Sequence, residues 1–212
     1  MTTRSYLLNA SAMIAISSLG CGFSGGKLQP NIVDAGTDAS VDASVDASVI
    51  KPFLAEVEDY DRYSPGPNTS FAILATQAGF NGTGYVEAMR SAPNGTLCNA
   101  SIEECANIEF DFEVAETRTL FLNLRAWAAN SNSNALAWEI RPREGASPPI
   151  YKDKNGNVLT AIPLLLGIPD YKSEWQSYTK KNDTVTLEGG SYTLILFVRE
   201  PGLRLDQLSM TP

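Results

Sequence analysis

"IEFDFEV", residues 108–114, alternates apolar and acidic side chains at every step. A period of two marks a strand with one face in a core and the other in water. "YTLILFV" at 192–198 repeats the signal in part. Working outward, the chain from Pro52 onward breaks into short β-like runs at 53–60, 71–76, 83–89, 106–114, 118–128, 134–141, 157–162, 184–188, 191–199 and 203–210. Turn chemistry separates them: "SPGPN", "FNGTG", "APNGT", "DKNGN", "EGG" and "EPG". No long stretch has helical periodicity. The Pro-rich segment 142–172 reads as a long loop with a strand inside it. The pattern predicts an all-β domain over 52–212, a β-sandwich of the jelly-roll type.

Composition narrows the function. The chain has 212 residues, is 43% hydrophobic and carries a formal charge of −8. An acidic chain is poorly suited to nucleic acid, because phosphates need Lys and Arg to displace their counterions. It contains no histidine, which excludes histidine-based triads, histidine general bases and the commonest zinc sites. Carboxylates and carbonyls remain, and these suit calcium. No phosphate loop, nucleophile elbow or metal-hydrolase motif occurs, so no enzymatic activity is expected.

Residues 1–21 read as a targeting segment. Arg4 precedes a mostly apolar run to about Leu19, too short and too interrupted for a comfortable membrane span. "SLGC" at 18–21 resembles a bacterial lipobox ending in a lipidated Cys21. Ser18 stands where leucine is usual, so an ordinary cleaved signal peptide is the competing reading. Residues 22–51 then form an acidic disordered linker, with Asp34, Asp38, Asp42 and Asp46 spaced by four. This places the domain at the cell envelope, held to the membrane through lipid alone, or secreted. If Cys21 carries lipid, Cys98 and Cys105 remain as a pair for a short disulfide loop in an oxidising compartment.

Residues 53–60, "FLAEVEDY", raise a different question. On a strand, Glu56 and Glu58 would share a face and repel. A third carboxylate, Asp206, lies in the last apolar run, "GLRLDQLSM". First and last strands pair in many jelly rolls, which would gather the three carboxylates around a cation. Solvated strand carboxylates are the alternative.

Several pieces, in this order, resemble carbohydrate-binding modules of families 6 and 35, which have a galactose-binding-like jelly roll. They are "AEVEDY" (55–60), "GFNGTGYVEA" (79–88), "IEFDFEVAETRTLFLNLRAW" (108–127), "EWQSY" (174–178) and "VTLEGGSYTLILFVREPGLRLDQLSM" (185–210). The resemblance implies a structural Ca²⁺ on Glu56, Glu58, Asp206 and carbonyls near Gln77–Gly79. It also implies a poly- or oligosaccharide site at Tyr85, Trp175 and Arg204. An arginine where the families carry asparagine departs from the pattern. It suits an anionic sugar through a bidentate contact, or signals a site that has been lost. Trp175, among polar residues, is the better exposed aromatic, with packing as its alternative. Tyr85 would either touch sugar or plug a sandwich edge. Trp127 and Trp138 lie within strands, and at least one belongs to the core or the concave face. The expected protein is a monomer that binds saccharide without turnover. The alternative is a surface protein-interaction module that kept the fold and lost the sugar site, since fold alone does not fix function.

Overall fold

The structure is a computed structural model in which residues 53–90, 105–169 and 172–212 are described. The targeting segment, Cys21, the 22–51 linker and Cys98 lie outside these residues. In chain order the strands are β1 (Phe53–Glu56), β2 (Arg62–Ser64), β3 (Thr69–Leu74), β4 (Tyr85–Arg90), β5 (Asn107–Val114), β6 (Arg118–Trp127) and β7 (Ala135–Pro142). They continue with β8 (Ile150–Asp153), β9 (Leu164–Gly167), β10 (Gln176–Thr179), β11 (Asp183–Leu187), β12 (Gly190–Val198) and β13 (Arg204–Thr211). No helix among the described residues is long and apolar enough to cross a membrane.

Two antiparallel sheets form the sandwich. One runs β3-β4-β13-β6-β11-β8, with β1 also on β13 and β10 also on β6; the other runs β2-β5-β12-β7-β9. The alternation in β5 does what its sequence predicts. Ile108, Phe110 and Phe112 are buried, while Glu109 and Asp111 face out and receive Arg62. That guanidinium holds the Asp111 carboxyl at about 2. In β6, Leu120, Leu122, Leu124 and Ala126 point into the core, which leaves Thr119, Phe121, Asn123, Arg125 and Trp127 on the opposite face. Strand β12 is buried on both sides. Tyr192, Leu194, Leu196 and Val198 join the main core, and Ile195 and Phe197 pack with Ala137 and Cys105 in a second cluster. This explains why its sequence is apolar at nearly every position.

Three expectations about strands change. The run 53–60 is not one strand: β1 stops at Glu56 and Val57–Asp59 forms a 3-10 turn. The run 157–162 is not a strand either. Val158 makes one isolated bridge to Lys152, and the strands flank it as β8 and β9. Pro163 has no N–H to offer a ladder. Short strands β2 and β10 were not foreseen. First and last strands do pair, with Phe53 opposite Met210 and Glu56 opposite Gln207.

The register of β13 on β6 shifts between Leu205 and Gln207. Asp206 is therefore the extra residue of a β-bulge, the device by which a strand re-aims one side chain. Leu205 and Leu208, three apart, are both buried as a result.

Candidate functional site

Glu56, Glu58 and Asp206 are brought to one region, but not by a shared strand face. The 3-10 turn after β1 carries Glu58 inward, where it is 9% exposed. Its Oε1 accepts the amides of Thr83 (2.9 Å) and Gly84 (3.0 Å). Glu56 Oε1 accepts Gln207 Nε2 at 2.7 Å. The second oxygen of each, Oε2, is buried with no hydrogen-bond partner. No ion pair among the described residues reaches either carboxylate. Both lie against Gly82, whose missing Cβ would stand 3.4 Å from Glu56 Oε2 and 2.6 Å from Glu58 Oε1.

Asp206 is fully buried and differently occupied. Its Oδ1 accepts the Asn81 amide at 2.9 Å, and its Oδ2 is ion-paired with Arg125 Nη1. Arg125 Nη2 donates to the Gly79 carbonyl at 2.7 Å. Burial pushes the Asp206 carboxyl above the usual carboxylate range, while the Arg125 guanidinium and the Asn81 amide pull it back. Two oxygens expected of a calcium shell, on Asp206 and near Gly79, are thus taken by a side chain that the sequence reading left unassigned. Among the described residues no three carboxylates stand together as a metal cage. What does fit a cation is the pair of unpartnered Oε2 atoms on Glu56 and Glu58. Their two negative charges have no positive side chain to offset them.

The aromatic residues also separate into different roles. Tyr85 is fully buried, under Phe80 (5.8 Å) and Trp175 (5.4 Å, edge-on), with its hydroxyl 2.9 Å from Thr76 Oγ1. It presents no open face to a sugar, which corrects its expected contact. Its job is to support the β3–β4 loop. Trp175 is half-buried rather than a free platform. It donates Nε1–H to the Ala78 carbonyl at 3.0 Å, packs on Gly79 and lies 5.5 Å from the Arg125 guanidinium.

Arg204 also lies against Tyr85, its guanidinium 5.6 Å from that ring. Its Nε donates to Glu87 Oε2 (2.9 Å) and its Nη1 to Gln77 Oε1 (2.7 Å). The guanidinium lies 4.1 Å over the Trp127 ring. Arg204 pairs in register with both Glu87 of β4 and Trp127 of β6, so the three side chains form one outward row across the sheet. The row forms one wall of a cavity of about 690 Å³. Arg90 at the end of β4, the β6–β7 loop (Ala129, Asn130, Asn132, Ser133) and the β12–β13 loop (Glu200 to Gly202) supply the rest. That volume is in the range of small-molecule pockets. Glu200 Oε2 is already bound to the Asn134 and Ala135 amides, and Glu87 to Arg204. The Trp127 indole N–H is buried without a partner. Trp127 and Glu87 were not among the expected ligand contacts, although strand parity with Arg125 and Tyr85 would have placed them on this face.

No family profile and no curated protein matches the chain. Solved structures similar to it include the Podospora anserina GH26-CBM35 β-(1,4)-mannanase, at 19% identity and TM-score 0.47, covering 76% of this chain and 27% of that one. A family 35 carbohydrate-binding module from Clostridium thermocellum is similar at 13% identity and TM-score 0.47, covering 75% and 96%. The C-terminal family 6 module of a marine laminarinase from Zobellia galactanivorans is similar at 13% and 0.45, covering 76% and 99%. At this distance the sugar bound by any of these proteins is no guide to the ligand of this chain.

Proposed function

We propose that this protein is a non-catalytic saccharide-binding module whose ligand sits in the cavity beside Trp127 and Arg204. One observation carries the reading: an aromatic ring and spaced amide, hydroxyl and charged groups converge on a pocket of sugar-compatible size. Sugars present apolar C–H faces and many hydroxyls, and need this mixture of one ring and several fixed polar partners. The engagement of Arg204 by Glu87 and Gln77 supports a neutral ligand over the anionic one that an unpaired arginine would suit. Export by the N-terminal segment and anchoring through Cys21 belong to the same reading, as does a disulfide between Cys98 and Cys105. The test is a binding panel of neutral, uronic and sulfated polysaccharides. A neutral glycan should bind, and Trp127→Ala or Arg204→Ala should weaken it by roughly tenfold or more, as loss of an anchor residue does. Absence of binding across the panel by folded protein would sink this reading and leave a protein-interaction module.

Calcium is the second element of the proposal, held by Glu56 and Glu58 through their unpartnered oxygens, with carbonyls or water completing the shell. Bound there, the ion would offset two like charges, that of Glu58 buried, and fix the end of β1 against the β3–β4 loop. A ligand bound only to the folded state raises the melting temperature. Chelation should therefore lower it, and a melt unchanged by EDTA would remove calcium from the account.

A further inference from the structure

We propose that Arg125 is a resident cation of the carboxylate site, holding its Asp206–Gly79 half closed to divalent ions. The inference rests on the calcium reading only for the Glu56–Glu58 half; its own claim concerns what Arg125 occupies. The guanidinium makes two contacts in fixed geometry: Nη1 with the fully buried Asp206 carboxylate and Nη2 with the Gly79 carbonyl, 2.7 Å away. A carboxylate and a nearby carbonyl are the oxygen types a calcium shell gathers. Each oxygen keeps a second lone pair, but the guanidinium charge held against both opposes a divalent cation at the same place. The planar fork suits this task because it satisfies both acceptors at once and keeps its charge at any relevant pH.

Charge balance divides the region into two halves. Asp206 and Arg125 neutralise each other. Glu56 and Glu58 together carry two uncompensated charges, and Glu58 is nine-tenths buried with an unpartnered oxygen. The halves are neighbours: the Asn81 amide binds Asp206 while the Thr83 and Gly84 amides bind Glu58. Glu58 is also close enough for its charge to oppose ionisation of Asp206. Removing the guanidinium would thus release a third carboxylate and a carbonyl beside the existing pair. Affinity for calcium rises with the number of charged ligands.

The experiment is a calorimetric titration of the full chain with calcium chloride alone, comparing wild type, Arg125→Ala, Arg125→Lys and the double variant Arg125→Ala/Asp206→Asn. Arg125→Ala should bind calcium roughly tenfold or more tightly than wild type, in keeping with one added carboxylate. The double variant should return toward the wild-type value, because the released ligand is gone. Lysine, a single point donor that cannot span both acceptors, should fall between the two. Equal or weaker calcium binding by folded Arg125→Ala would overturn the proposal, as would a gain that persists in the double variant. If Arg125→Ala folds only with calcium present, that rescue supports the proposal; if it stays unfolded throughout, the Arg125→Lys comparison decides. A wild-type chain that binds no calcium would end the Glu56–Glu58 reading. The present proposal would still stand if Arg125→Ala gained binding, and would fall if it did not.

Discussion

Trp138→Ala should destabilise the sandwich by about 3–5 kcal/mol, the range for emptying a large buried ring from a packed core. Trp138 is fully buried on β7, between Leu196 of β12 and Leu164 of β9 in register. Its ring meets Tyr151 edge-on at 5.9 Å, and Tyr151 belongs to the other sheet. The Tyr151 hydroxyl accepts from the Ile140 amide at 2.6 Å and donates to the Ile140 carbonyl at 3.0 Å. These are backbone groups of β7 beyond the stretch that β9 covers. Burial pushes the Tyr151 phenol well above its ordinary range, in keeping with a neutral donor–acceptor. Losing the Trp138 ring therefore opens a void and loosens a clamp between the sheets. Denaturant unfolding of wild type, Trp138→Phe and Trp138→Ala would show it, with phenylalanine retaining much of the stability. A loss below about 1 kcal/mol for alanine would mean that the void collapses or that this region is already loose.

Gly82→Ala should have the next largest effect, about 2–4 kcal/mol, and should abolish the calcium binding proposed above. Gly82 has φ +66, a left-handed conformation that costs an L-residue about 1–2 kcal/mol. The new methyl would also lie 2.6 Å from Glu58 Oε1. That oxygen cannot withdraw freely, because the Thr83 and Gly84 amides hold it. Hydrogen bonds to a charged acceptor are worth about 1.5–3 kcal/mol each, so displacement adds to the backbone strain. Paired thermal melts with calcium and with EDTA separate the two parts. The variant should melt lower in both conditions and show no calcium-dependent rise. A Gly82→Ala chain that melts like wild type and still responds to calcium would contradict the close packing of Gly82 on the two glutamates.

The sequence was most legible where one strand face is wet. "IEFDFEV" announces its strand because acidic residues mark the outer face, and the doubly buried β12 was legible only in part because both its faces are apolar. The carboxylate region was harder to read for two local reasons. The 3-10 turn at Val57–Asp59 and the bulge at Asp206 each break the period of two, so residues that count as face-mates along the chain are not so in space. The spacing of Leu205 and Leu208 is the trace of the bulge. Arg125 escaped notice because a charged residue in a strand is normally a solvated one, and only the pairing of β6 with β13 reveals what it faces. Tyr85 was misplaced because Phe80 of the β3–β4 loop and the distant Trp175 close over it, a tertiary event with no local signature.

The antiparallel register of β1 against β13 has a mechanical side. The chain enters the sandwich at Phe53, opposite Met210, and β1 runs from there toward Glu56, opposite Gln207, the end of β13 nearer Arg204 and the cavity. Tension between that entry point and a load held in the cavity acts along the strand axis. Ladder hydrogen bonds lie across the strands, so all of them resist sliding together and none is peeled open before the next. A protein pulled from its N-terminal side while gripping a ligand would be loaded in shear, the direction in which a short strand pair yields last.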